Sequence, residues 1–205
     1  MSVDVSASLP LSESQRSLWF LYQLGDALHA SHNVGFCVQL HGALSAEVVE
    51  IALQRVVSRH PMLRTSFEVV DGEPQQVVHD YVRFALQRLD ARSLDAERLE
   101  ACVGADFAVC FDLAAAPLMR GHWYERGDGE AVLLLVFDHL ACDGASYWQL
   151  IQELGEEIEG RYEAPADSGS FEAFLAWQRD WLSGPTAEAS WAYWRQQLAG
   201  AIARI

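Results

Sequence analysis

One short stretch near the middle of the chain carries most of its chemical potential: Asp138-His139-Leu140-Ala141-Cys142-Asp143-Gly144-Ala145-Ser146. An imidazole can take or hold a proton near neutral pH, and its neighbours control its pKa and tautomer. The carboxylates beside it could raise its basicity, fix the loop that carries it, or cap a helix. Asp143, ahead of Gly144 and Ala145, suits the last role, because a helical pattern resumes at Ala145. Asp138 can accept hydrogen bonds but cannot donate them when ionised.

These groups need a rigid support, and the preceding residues supply one. Ala131 to Phe137 is an unbroken run of Ala, Val, Leu and Phe, which predicts a strand buried on both faces. Polar groups at the end of a buried strand, just before a helix, are where open α/β sheets hold their chemistry. Gly127-Asp128-Gly129 turns a strand over 118–125 back into this run, making an antiparallel hairpin. Afterwards Tyr147, Leu150, Ile151, Leu154 and Ile158 give a helix that docks on the sheet.

The remaining elements read in order. Ser12 and Gln15 form a capping box for a helix showing Leu18, Trp19, Leu21, Tyr22 and Leu24, which Gly25 can end. Asn33 to Leu40 reads as a strand. Ser45 caps a helix with Val48, Ile51, Ala52, Val56 and Val57 inward, and Pro61 stops it at His60. Leu63 to Val70 is a strand ending at an Asp71-Gly72 turn, and 75–78 and 82–89 are further strand candidates. Leu94 to Phe107 is a helix. A linker over 164–169 precedes an aromatic helix from Ser170, broken at Ser183-Gly184-Pro185-Thr186, and a last helix over 187–198.

Bulk properties exclude several classes. With 205 residues, 51% of them hydrophobic and 11% aromatic, the chain is globular and able to bury a core. A net charge of −15 excludes a nucleic-acid binder with a basic face. No basic amphipathic stretch suggests a membrane surface, and residues 131–137 are too few to span a bilayer. The opening Met1-Ser2-Val3-Asp4-Val5 lacks the features of a secretory leader, so a cytoplasmic location is expected. Cys37, Cys102, Cys110 and Cys142 form no C-x-x-C pair and are expected as buried small hydrophobes. His29 and His32 lack further ligands at metal-site spacing, so no metal is expected. No nucleophile elbow, phosphate loop, zincin helix or internal repeat occurs.

Four stretches, in order, resemble motifs of the condensation domains of nonribosomal peptide synthetases, in the chloramphenicol acetyltransferase-like superfamily. The first is Ser12-Glu13-Ser14-Gln15-Arg16-Ser17-Leu18-Trp19, the second Arg59-His60-Pro61-Met62-Leu63-Arg64-Thr65-Ser66-Phe67. Phe111-Asp112-Leu113 and Pro117-Leu118-Met119-Arg120 resemble the family's lead into the central strand. The third motif is His-His-x-x-x-Asp-Gly, matched by His139, Asp143 and Gly144, with Asp138 where the family has its first His. The fourth is the aromatic helix reaching Trp177-Gln178. Asp138, Asp143 and Ser146 also satisfy the Asp-x-x-x-x-Asp-x-x-Ser pattern of heterocyclisation domains. The Leu18-Trp19 opening and Arg64-Thr65 are of ordinary condensation type.

The resemblance implies an α+β fold, an αβ sandwich lobe with a mixed, largely antiparallel sheet covered by helices. Residues 1–205 would be the N-terminal lobe, with an αβ core over 8–163 and a linker and C-terminal helices over 164–205. On this resemblance the second lobe would be missing from residues 1–205, so the isolated chain is expected to fold without catalysing. The implied reaction is amide formation between a carrier-bound acyl or peptidyl thioester and a carrier-bound amine. His139 would act on the amine, with Asp143 and Asp138 at the site. Gly144 and Ser146 would line the approach of substrate or pantetheine, and Arg64 and Arg16 would support the site. No cofactor is expected to bind directly, since substrates would ride on the 4'-phosphopantetheine of donor and acceptor carrier proteins. Alternatives are a heterocyclising domain, a degenerate domain that recruits carrier proteins or partner enzymes, and a relative acylating alcohols from acyl-CoA.

Overall fold

A computed structural model describes residues 5–25, 30–165 and 169–199. The chain divides into two compact units between Ala164 and Pro165. In the first unit the elements run β1 (Val5–Pro10), α1 (Glu13–Tyr22), β2 (Asn33–His41), α2 (Ala46–Arg59), β3 (Thr65–Val70) and β4 (Glu73–His79). They continue with β5 (Leu86–Asp90), α3 (Ala96–Phe107), β6 (Met119–Gly127), β7 (Glu130–Asp138) and α4 (Gly144–Ile158). The second unit contains α5 (Phe171–Leu182) and α6 (Pro185–Gln197).

The described strands form two sheets where a single one was expected. One has the order β1-β4-β3 and is antiparallel throughout. The other has the order β2-β7-β6-β5, antiparallel except for the parallel pair β5 and β6. The β3–β4 and β6–β7 hairpins both turn on Asp-Gly. Asp71, Gly72, Asp128 and Gly129 all have positive φ, as a two-residue turn that matches the strand twist requires.

β7 sits inside the larger sheet and is buried along nearly its whole length. Its odd residues Ala131, Leu133, Leu135 and Phe137 join a core with α2, Leu63, Trp123 and Leu154. Its even residues Val132, Leu134 and Val136 join a second core with Leu11, Tyr22, Phe67, Leu118 and Tyr124. Each buried aliphatic side chain contributes roughly 1.5–3 kcal/mol, so β7 is the apolar wall shared by both layers. At Gly35 β2 comes so near this wall that an added Cβ would collide with the Leu135 carbonyl.

Several helix boundaries match their signals. Ser12 and Gln15 close both halves of the capping box, Ser45 caps α2, and α2 ends at Arg59 before Pro61. The buried face of α2 differs from the expected one: Val49 and Leu53 point inward, while Val48 and Ile51 are 43% and 56% exposed. Residues Pro61–Arg64 form a single 3-10 turn, so β3 begins at Thr65. Only the second half of the 82–89 candidate pairs as a strand. β1 carries no strong alternation and has no counterpart among the expected strands. Of the cysteines, Cys142 is buried, whereas Cys37 and Cys110 are exposed. Leu24 is exposed beyond the end of α1.

Within the second unit, Ser170 caps α5 and Pro185 opens α6, where its missing N–H costs nothing. Phe171, Phe174, Trp177 and Trp181 form a ladder of rings along α5, 5.6, 5.8 and 6.4 Å between successive centroids.

Candidate functional site

The loop from Asp138 to Asp143 is closed by its own first residue. The Asp138 carbonyl accepts from Ala141 N–H (3.0 Å) and Cys142 N–H (3.2 Å), and its N–H donates to the Leu118 carbonyl. The residue is 1% exposed, and both carboxylate oxygens are engaged: Oδ1 accepts from Leu140 N–H at 2.9 Å, Oδ2 from the Tyr22 hydroxyl at 2.7 Å. Burial holds the Asp138 carboxyl above the usual carboxylate range, against the pull of these two bonds. Leu140 and Ala141 enter the second core and Cys142 the first. Burial pushes the Cys142 thiol up to about 12, leaving it protonated and inert.

His139 is half-buried between these anchors. Its N–H donates to the His32 carbonyl at 3.0 Å. Its Nδ1 is buried and has no hydrogen-bond partner among the described residues. Its positive charge, when present, favours the ionised form of both Asp138 and Asp143. The imidazole therefore stands on a fixed backbone with a carboxylate on each side. That is an arrangement able to take, hold or return one proton.

Asp143 has a different environment. It is exposed and N-caps α4, its Oδ1 accepting from Ser146 N–H (2.8 Å) and the Ser146 hydroxyl (2.7 Å). These bonds hold its carboxyl below the usual range. Ser146 thus serves the helix start. Gly144 occupies the first turn of α4, and a Cβ there would meet nothing within 4 Å, so packing inside this chain does not demand glycine.

Gln15 links three regions. Its Oε1 accepts from Ser12 N–H, and its Nε2 donates to the Leu140 carbonyl (3.1 Å) and to Gln76 Oε1 (3.4 Å). Gln76, fully buried, donates to the Pro10 carbonyl. The capping signal in the sequence thus also marks a tether of the loop. Arg64 and Arg16 have other partners. Arg64 donates to the His79 and Asp80 carbonyls at the end of β4, and the half-exposed Arg16 reaches Glu73 at 3.8 Å. Neither bonds to the 138–146 loop. Arg59 pairs with Glu153 and Glu157, His60 with Glu153, and Arg55 with Glu157, fastening α4 to α2. Tyr22, one of several apolar helix residues in the sequence, proves to be a polar partner of the site. No sequence signal links it to Asp138.

Among the described residues no three His, Cys, Asp or Glu side chains gather as a metal site requires; His29 lies outside those residues. No described helix is long and apolar enough to cross a membrane.

The two sheets and their covering helices make an α+β structure of the chloramphenicol acetyltransferase-like fold. The chain belongs to the condensation-domain family, whose model matches residues 5–205. It is 34% identical over 208 residues to a linear gramicidin synthase from Brevibacillus parabrevis, covering 97% of this chain and 3% of that protein. It is also 34% identical over 194 residues to a plipastatin synthase from Bacillus subtilis (strain 168), covering 94% of this chain and 5% of the relative. Among solved structures, the first condensation domain of the calcium-dependent antibiotic synthetase superposes with a TM-score of 0.82 at 21% identity, over 95% of this chain and 48% of that one. A four-domain nonribosomal peptide synthetase bound to AMP and glycine gives 0.77 at 24% identity, over 97% and 15%. The chain thus spans a few per cent of those two synthases and about half of the solved condensation domain.

Proposed function

We propose that residues 1–205 are the N-terminal lobe of a condensation domain that joins a carrier-bound acyl or peptidyl thioester to a carrier-bound amine, with His139 as the catalytic residue. The observation that carries this reading is the half-buried His139 imidazole on a doubly anchored loop at the end of β7. The amine nitrogen attacks the thioester carbonyl, the C–N bond forms and the C–S bond breaks. The proton lost by nitrogen ends on the departing thiolate. His139 holds the neutral amine and receives or relays that proton, which needs correct positioning more than covalent help. Asp138 and Asp143 act by shaping the loop and starting α4, and neither is needed as a reacting group.

This division of labour favours condensation over heterocyclisation, because the signature pair Asp138 and Asp143 is occupied by internal hydrogen bonds. Substrates arrive on 4'-phosphopantetheine arms of donor and acceptor carrier proteins. The facing wall of the active site comes from a second lobe, so the lobe by itself does not turn over.

The test is intact-mass analysis of product from the complete two-lobe enzyme, given a carrier-bound acyl donor and carrier-bound cysteine, beside His139→Ala. An amide-mass product lost in the variant is the expected result. A product lighter by one water assigns heterocyclisation, and no product from several donors and acceptors assigns a recruiting domain.

A further inference from the structure

The Asp138 carboxylate is an unusual group to find at the foot of a catalytic loop. It is 1% exposed, and a buried charge is tolerated only when hydrogen bonds or an ion pair replace its water. Arg120 on β6 is near enough for its charge to interact with Asp138, yet its guanidinium is engaged by the Val109 and Cys110 carbonyls. The His32 and His139 imidazoles are also near enough to interact with the carboxylate. Among the described residues Asp138 has two donors. Leu140 N–H belongs to the loop itself. The Tyr22 hydroxyl comes from the last turn of α1 and reaches the carboxylate from outside the loop.

The surroundings of Tyr22 are equally specific. It is 4% exposed, in the second core. Its ring lies 4.9 Å from the His32 ring, and the His32 carbonyl in turn receives the His139 N–H. Tyr22 therefore touches both ends of the clamp on His139: the carboxylate before it and the turn that holds its backbone. A phenylalanine would keep the ring in the core and lose only the hydroxyl.

We infer that Tyr22 is a positioning residue for His139, its hydroxyl supplying the donor that a carboxylate at position 138 requires where the family motif has histidine. The inference rests on the reading of His139 given above. An imidazole at 138 carries its own N–H and can find another partner, whereas an ionised carboxylate must be donated to. Tyr22 and Asp138 thus form a matched pair, and the hydroxyl matters only while position 138 is acidic.

A double-substitution cycle isolates this coupling. Tyr22→Phe, Asp138→His and the double variant are made in the complete two-lobe enzyme, and kcat and KM for the carrier-bound amine are measured. Tyr22→Phe is expected to lower kcat roughly tenfold with KM little changed, and to cost less than about twofold when position 138 is His. Equal losses in both backgrounds overturn the pairing, as does a loss confined to KM. Histidine-labelled NMR of the 205-residue chain supplies an independent arm: the His139 ring resonances move in Tyr22→Phe while the other histidines, His32 apart, stay in place. If His139→Ala retains full turnover, the functional reading fails. The pairing is then decided by NMR, and unchanged His139 resonances overturn it.

Discussion

Asp138 and Asp143 belong to one loop, and folding has given them opposite environments. Asp138 ends a strand on the face turned toward the second core, where burial disfavours its charge and a tyrosine hydroxyl compensates. Asp143 begins a helix at the surface, where two donors from Ser146 and the helix N-terminus favour its charge. Residue type alone does not separate the two carboxylates, although the helical pattern after Gly144 already suits Asp143 as a cap. The phase of a strand and the start of a helix make one a buried clamp and the other an exposed cap.

The contrast can be broken most forcefully at the buried end. Asp138→Ala removes the acceptors of Tyr22 and Leu140 and leaves a void, which should cost about 3 kcal/mol in urea unfolding. A cost below about 1 kcal/mol would mean that the loop stands without its clamp. At the exposed end, Asp143→Ala should cost about 1 kcal/mol as a lost N-cap, and Asp143→Ser much less. Ser146→Ala, removing one exposed hydroxyl, should stay within about 0.5 kcal/mol.

The acid limb of the stability curve separates the two by sign. Asp138, raised by folding, adds stability that is full below the unfolded carboxylate value of about 3.9 and is lost as pH rises through its folded value. Asp143, lowered by folding, adds stability that is full above about 3.9 and is lost as pH falls through its folded value. Relative to wild type, Asp138→Asn should therefore lose the gain on mild acidification, and Asp143→Asn should blunt the drop at lower pH. Equilibrium unfolding across that range checks both, and curves parallel to wild type in either variant would erase the distinction.

How much of this is legible in the sequence varies with the length of the signal. The apolar run of β7, the two Asp-Gly turns, the caps at Ser12, Ser45 and Asp143 and the stop at Pro61 are local, and each is readable. The face of α2 misleads because Val48, Val49, Ile51 and Leu53 offer two overlapping apolar stripes, and only the position of β7 selects between them. β1 escapes because an edge strand of mixed polarity has no period to detect. Arg64 and Arg16 are expected to support the site, and the bonds they make are to backbone and carboxylate around β4. The bond between Tyr22 and Asp138 spans most of the chain and leaves no trace in spacing.

The apolar wall on both sides of β7 also bears on how the strand finds its place. A strand with alternating polarity carries its own record of which residue faces which way, and a slip of one position exposes the error. β7 has no such record, since every residue from Ala131 to Phe137 is apolar and buried. Its alignment must be dictated from outside, by the tight Asp128-Gly129 turn and by Gly35 fitting beneath the Leu135 carbonyl. One residue added to that turn would leave the hydrophobic cores nearly as well filled, yet rotate position 138 away from Tyr22. The geometry of the 138–143 loop is thus set at the opposite end of the strand that carries it.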